Sequence, residues 1–173
     1  MSEYSAGILL YHISFDGEIS FLLGKDRRGK WSDFGGKSEE SDNNDTKQTA
    51  SREFYEETIG TIMSFNTIRH IIENCPYVLG KSYLQNPYYM YIVQVLHKNV
   101  YSDDFKESYK FVKNSLGNNS PFCEKVDIQW INYNSILQNL NGDIRQVFHN
   151  TFYNNIESIN KIISRKMHQL KKR

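Results

Sequence analysis

Cysteine is scarce in this chain, with two in 173 residues. Cys75 and Cys123 stand far apart, in neither a metal-binding nor a redox spacing, so a disulfide is not expected and both read as reduced thiols of a cytoplasmic protein. An excess of one charge is missing as well. There are 21 Lys and Arg against 20 Asp and Glu, a net charge of +1, which argues neither for nor against nucleic acid. No stretch approaches the ~18 consecutive apolar residues of a membrane span. The opening Met1-Ser2-Glu3-Tyr4 lacks the basic segment and apolar run of a signal peptide. Internal repeats and long flexible linkers are also absent. What remains, 39% hydrophobic and 24% charged residues, is ordinary for a globular protein. The length suits one domain with a real core, expected to span residues 1–173. Abundant Tyr, Phe and Asn point to no function.

Taken in order, Tyr4 to Ile13 holds the apolar run Ala6-Gly7-Ile8-Leu9-Leu10-Tyr11 and predicts a buried strand. Asp16-Gly17 predicts a hairpin turn, and Ile19 to Gly24 a second, antiparallel strand. A basic loop (Lys25, Arg27, Arg28, Lys30) and the short extended piece Trp31 to Phe34 lead to Gly35-Gly36-Lys37. After the polar loop Ser38 to Asn44, Asp45 is a good N-cap for a helix from about Thr46 to Thr58, with Gly60 as its stop. Thr61 to Ile72 and Tyr77 to Leu79 read as strand-like. Tyr88 to Leu96 is the longest strand signal and reads as buried on both faces. Ser102 to Leu116 is expected as a helix closed by Gly117, its Phe105, Tyr109, Val112 and Leu116 forming one stripe. Lys125 to Ile131 predicts a short strand and Asn134 to Leu140 a short helix. From about Asp143 to Arg173 a C-terminal helix with basic last residues is expected, its end solvated.

One helical stretch organises the chemistry. In Arg52-Glu53-Phe54-Tyr55-Glu56-Glu57, the three glutamates fall within about a third of the helix circumference. Crowding like charges on one face costs a few tenths of a kcal/mol per pair, roughly. Alone, such a face is ordinarily solvated surface. A hard divalent cation would turn that cost into a gain, because Mg²⁺ binds carboxylate oxygens together with substrate phosphates.

Strands leading to Gly-Gly, followed by a helix bearing Arg-Glu-(apolar)-x-Glu-Glu, resemble the Nudix hydrolase superfamily. That family's box is a Gly, five residues, Glu, seven residues, then Arg-Glu-U-x-Glu-Glu-x-Gly-U, with U apolar. Gly36 matches the opening Gly, and Arg52 to Glu57 matches the core segment. Three departures stand out. The Gly36-to-Arg52 connection is two residues longer than usual. Counted back from Arg52, Asn44 occupies the place of the first Glu, with Glu39, Glu40 or Asp45 as substitutes from the loop. Ile59 occupies the usual Gly position, and Gly60 comes one residue late.

The resemblance implies an α/β fold, a Nudix-type α/β/α sandwich around a central mixed sheet. It also implies a Mg²⁺- or Mn²⁺-dependent pyrophosphohydrolase that cleaves a nucleoside diphosphate derivative by water attack on phosphorus. Carried over residue by residue, Glu56 and Glu57 would be metal ligands, Glu53 a further ligand or the base, and Gly35 a carbonyl ligand. Arg52 would hold the glutamates, for example by a bond to Glu56 one turn on. Glu124 is the candidate for an added metal carboxylate, with Asp127 and Glu107 behind it. Lys37 is a candidate phosphate contact, as are Lys25, Arg27 and Arg28, since Arg grips phosphate with two donors. Tyr83, Tyr88, Tyr89 or Tyr91 is a candidate for base stacking, against the commoner role of packing. The five histidines form no ligand spacing. Alternative readings are removal of an RNA cap, with the basic C-terminal helix as RNA contact, hydrolysis of diphosphoinositol polyphosphates, and an inactive Nudix module that binds nucleotide or protein.

Overall fold

The computed structural model of the chain describes residues 3–98, 101–139 and 142–170. Its centre is β1 (Ser5–Ile13), whose unbroken apolar run is buried from Ser5 to Tyr11. A strand without alternation needs cover on both faces, and β1 has it. One edge pairs in parallel with β6 (Pro87–Gln94), from Ser5↔Tyr88 to Tyr11↔Gln94. The other edge is shared. Residues Leu10 to Ile13 pair antiparallel with β2 (Ile19–Asp26), and Ser5 to Ile8 pair antiparallel with β4 (Phe34–Lys37). The two-residue β3 (Trp31–Ser32) lies on β2, β5 (Tyr77–Lys81) lies beyond β6, and β7 (Lys125–Asn132) pairs with β2. The result is one seven-stranded mixed sheet.

Helices cover both faces, as expected for the α/β/α sandwich. On one face α1 (Thr46–Glu57), α2 (Phe65–Ile71) and α3 (Ser102–Leu116) bury Ala50, Phe54, Ile68 and Phe105 against Ile8, Leu10, Phe34 and Val93. On the other, α4 (Tyr133–Leu137), α5 (Gln146–Asn154) and α6 (Ile156–Leu170) bury Phe148, Phe152, Ile159 and Ile163 against Leu9, Phe21, Met90 and Ile92. Asp45 caps α1 by accepting from the Lys47 N–H at 2.9 Å, so the polar loop ends where the helix begins.

Three expectations need correction. Thr61 to Ile72 is not strand-like: Ser64 caps α2, accepting from the Thr67 N–H, and buried Ile68 and Ile72 lie one helical turn apart. The expected C-terminal helix from about residue 143 is two helices, broken at Asn155, whose amide donates to the Leu79 and Thr151 carbonyls. Its first residues are extended, because the Trp31 and Arg145 N–H groups bond to Asp143 and Trp31 carbonyls and fasten 143–145 beside β3. Of the α3 stripe only Phe105 is buried, and Leu116 is exposed. The expectations for Leu140 and for the basic residues 171–173 fall outside the described residues.

Candidate active site

The C-terminal half of α1 lies against β4, which the Gly35-Gly36 pair lets approach closely. A Cβ on Gly36 would stand 2.5 Å from Glu53 Oε1, so only glycine admits the Glu53 carboxylate there. Glu53 and Glu57 are buried and Glu56 is half-buried. Burial lifts the Glu53 carboxyl to about 7, against the Arg52 charge and with the help of Glu56 and Glu124. It raises Glu56 in the same way, and it raises Glu57 despite the neighbouring Lys125. Each carboxylate is out of water and crowded by others, which disfavours the charged form.

Arg52 is the hub of the cluster. Its Nη1 donates to Glu53 Oε1 at 3.0 Å and to Glu56 Oε2 at 3.1 Å, the latter being the i,i+4 bond expected from the sequence. Its Nη2 donates to the Lys37 carbonyl at 2.8 Å, which ties α1 to β4. The strongest grip comes from a residue not singled out in the sequence: Nε and Nη2 bond the two oxygens of buried Asp42, both at 3.0 Å. This fork-on-carboxylate pairing adds geometric specificity as well as energy. Asp42 also accepts from the Glu39 N–H at 2.9 Å and from Thr49 Oγ1 at 2.8 Å. Neither Asn44, Glu40 nor Asp45 reaches Arg52. Glu39 approaches to 3.5 Å but is mostly exposed. Counting forward from Gly36 by the box's own five-residue spacing would have found Asp42. The two extra residues therefore fall after it, where Asn43 and Asn44 adopt left-handed backbone conformations.

Lys125 was also missed. Its ammonium, buried to 1% exposure, lies 3.5 Å from Glu57 Oε1. It donates to Ser32 Oγ at 2.7 Å and to the Asp33 carbonyl at 3.1 Å. The other oxygen of Glu57 accepts from the Gly35 N–H at 2.8 Å.

On the far side of β4 opens a cavity of about 240 Å³, lined by Asp33, Gly35, Gly36, Lys37, Tyr83, Tyr88, Arg145 and Phe148, among others. Asp33 is buried, and Tyr88 donates its hydroxyl to it. Burial raises the Asp33 carboxyl to about 6, opposed by the Tyr88 bond and by the Lys125 and Arg145 charges. Arg145 reaches the cavity because residues 143–145 are pinned to β3. Its position inside a stretch read as helix concealed it.

The remaining sequence candidates scatter. Glu124 is exposed but close enough to act electrostatically on all three glutamates. Arg27 Nε donates to the Cys123 carbonyl at 2.9 Å, which secures the peptide ahead of Glu124. Lys25 stands over the Trp31 ring at 5.4 Å, and Arg28 is exposed at the turn. Asp127 faces Lys106 at 3.8 Å, and Glu107 is exposed on α3. Tyr89 packs on Tyr4 and Tyr77, and the Tyr91 hydroxyl bonds Thr46 Oγ1 at 2.7 Å.

Among the described residues, no three His, Cys, Asp or Glu stand at the spacing of metal ligands. In this arrangement Arg52 engages Glu53 Oε1 and Glu56 Oε2, and Lys125 faces Glu57 Oε1. The fit to a hard divalent ion therefore rests on donor chemistry. The side chains that would face such an ion are carboxylates, oxygen donors of the kind Mg²⁺ and Mn²⁺ prefer, and burial is the main reason their proton affinities are raised.

Architecture and glycine-flanked acidic helix together define a class: the fold is that of the Nudix hydrolases. A Caenorhabditis elegans Ap4A hydrolase, solved as a binary complex, is similar over 95% of this chain and 98% of that one, at 15% identity and a TM-score of 0.54. The Nudix hydrolase RenU of M. smegmatis matches over 91% and 86% at 13% identity and a TM-score of 0.51. The C-terminal domain of mouse MUTYH, solved in complex with human PCNA, matches over 96% and 90% at 10% identity and a TM-score of 0.51. At these identities the likeness shows the fold alone. No protein-family model matches the sequence, and no curated protein matches it. No helix among the described residues is long and apolar enough to cross a membrane.

Proposed function

We propose that the protein is a divalent-metal-dependent hydrolase that cleaves the diphosphate linkage of a nucleoside diphosphate derivative. The observation that carries this reading is the Arg52 hub, which holds Glu53 and Glu56 side by side at 3.0 and 3.1 Å beside the Gly35-Gly36 strand. Glu53, Glu56 and Glu124, with Glu57 and the Gly35 carbonyl from the sequence resemblance, would hold Mg²⁺ or Mn²⁺. When bound, such an ion neutralises phosphate charge and acidifies water.

The chain's own groups do the rest. If Glu53, buried against the Gly35-Gly36 strand, is left off the ion, it is the general base, the other of the two roles that the resemblance implies for it. It would orient the attacking water and take its proton. Lys37 and Arg145, both at the cavity, would receive phosphate oxygens, with Arg145 offering two donors to one phosphate. Tyr83 and Phe148 offer aromatic wall to the nucleoside. Lys25 and Arg28 stand outside that cavity, and Arg27 serves it at one remove by holding the segment before Glu124.

The test is turnover of purified protein with Mg²⁺ or Mn²⁺ against nucleoside triphosphates, nucleotide sugars, dinucleoside polyphosphates, capped RNA and inositol pyrophosphates. Release of a phosphate-bearing product from one nucleotide class is expected. Glu56→Gln should lower that rate by about a hundredfold or more, exceeding the effect of losing a partner that only supports a metal ligand. Unchanged turnover in folded Glu56→Gln would remove the metal role. No turnover of any substrate with either ion would favour a module that only binds.

A further inference from the structure

Asp33 stands where the chain crosses from β3 to β4, and its peptide is fixed from the α1 side of the sheet. The Lys125 ammonium donates to its carbonyl at 3.1 Å, and Ser32 Oγ donates to the same carbonyl at 3.1 Å. The side chain points the other way, into the cavity of about 240 Å³, and it is only 4% exposed. One carboxylate oxygen, Oδ2, accepts from the Tyr88 hydroxyl. That hydroxyl needs glycine on both neighbouring strands: a Cβ on Gly7 would collide with it, and one on Gly35 would stand 2.8 Å from it. The carboxylate is therefore held in one orientation.

The other oxygen is left over. Among the described residues, Asp33 Oδ1 accepts no hydrogen bond and meets no cation at ion-pair distance, Arg145 of the same cavity included. Nor is it sealed in protein, as the partnerless atoms Tyr11 Oη, Ser51 Oγ and His149 Nε2 are, so it opens into the cavity. An ionised carboxylate only accepts, and burying a charge without full pairing is costly. A side chain that served Tyr88 alone could be a neutral amide or hydroxyl. The charge calls for a ligand that brings hydrogen-bond donors.

We infer that Asp33 is a specificity-determining residue that makes the cavity select a guanine base. Guanine sets two donors side by side, N1–H and the 2-amino group, and one carboxylate can accept from both. The other bases turn an acceptor toward it: N1 of adenine, N3 of cytosine, and the two carbonyls that flank N3–H of uracil. The cavity, about 240 Å³, is smaller than the roughly 300–1,000 Å³ of sites for drug-sized ligands. That size suits one flat ring system against Tyr83 and Phe148, with the phosphates left to the exposed Lys37 and Arg145. This rests on the reading above that the cavity receives the nucleoside, and it names the base.

Isothermal titration calorimetry of the full chain with GMP, IMP, XMP, AMP and UMP, in EDTA so that no divalent ion takes part, tests this without turnover. GMP should bind about tenfold more tightly than IMP, which lacks the 2-amino donor, and about a hundredfold more tightly than XMP, AMP or UMP. Asp33→Asn keeps an acceptor for Tyr88 and turns a donor to the cavity. It should lose about a hundredfold in GMP affinity and prefer XMP, whose N1–H and 2-carbonyl match an amide. A merely structural Asp33 would on this change alter all five affinities alike. Should Asp33→Asn not fold, the five nucleotides on the native protein decide alone. GMP bound no more tightly than AMP and UMP, or not bound at all, would overturn the inference and leave the metal-dependent reading to the Glu56→Gln assay. A folded Asp33→Asn that still prefers GMP would overturn it too. Selection of GMP by a protein that turns over no nucleotide would support the inference and overturn the hydrolase reading instead.

Discussion

The two faces of the sheet are stabilised by different means. Under α5 and α6 the interior is mainly apolar: Phe152 meets Phe21 at 5.2 Å edge-to-face, with Phe148 and Tyr133 at 5.8 and 6.0 Å. Under α1 an apolar patch around Phe34 and Phe54 (5.4 Å) gives way, within two turns, to buried Asp42, Glu53, Glu57 and Lys125. Apolar packing is non-directional and tolerates exchange of similar volumes. A buried ionic network is exacting, because removing one member strands the charge of another. A sheet that needed only stability would have covered both faces in the first way. The second face thus marks where the fold gives up tolerance for placed charge.

Substitutions can break this contrast. The largest effect is expected from Asp42→Ala, which strands Arg52 and releases the glutamates it orients. It should cost about 3–5 kcal/mol of unfolding free energy and at least about tenfold in turnover, read by denaturant titration and by assay. A loss in stability with full activity would show that Arg52 holds the glutamates without Asp42. Phe152→Ala should match that destabilisation, about 3–5 kcal/mol for a fully buried aromatic. Its turnover per folded molecule should be unchanged, so loss of activity beyond the unfolded fraction would mean the two faces are coupled. The smallest effect belongs to Asp45→Ala, which removes the α1 N-cap and one partner of Arg69, at 2.8 Å. About 1 kcal/mol is expected, shown as a shift in denaturant midpoint at constant slope, and Mn²⁺ affinity should hold.

How much of this could be read in advance followed from how local each signal is. Helix α1 and its glutamate face were legible because period and cap lie within one short segment. Strand β1 was legible from its unbroken apolar run. The α2 segment misled because Ile68, Ile71 and Ile72 are β-branched and favour strands, while the Ser64 cap and the four-residue spacing of buried Ile68 and Ile72 carried the opposing signal. Asp42 was hidden by counting from the wrong end of a lengthened loop. Lys125 and Arg145 were beyond local reading. One is turned inward by a one-residue offset between β2 and β7, the other is placed by a bridge from Trp31 to Ile144. Neither pairing can be seen from one segment alone. Ile59 holds a left-handed φ of 55° at the place where the family box has glycine, a conformation that costs about 1–2 kcal/mol in an ordinary residue. Its packing against the apolar core under α1 helps to offset that.

The sharing of one edge of β1 between β4 and β2 has a geometric consequence. Two strands that lie on the same edge in succession cannot also lie on each other, so the sheet forks between Ile8 and Leu10. The chain crosses from one prong to the other at Asp33, between β3 on β2 and β4 on β1. In the crotch of such a fork, backbone amides and carbonyls turn away from regular ladders, and side chains from β7, α1 and the crossing segment meet there. Lys125, Glu57 and the Gly35 N–H converge at that place. The position of this charged cluster is therefore set by where the sheet divides, and a loop that grows by two residues between Asp42 and α1 leaves that place undisturbed.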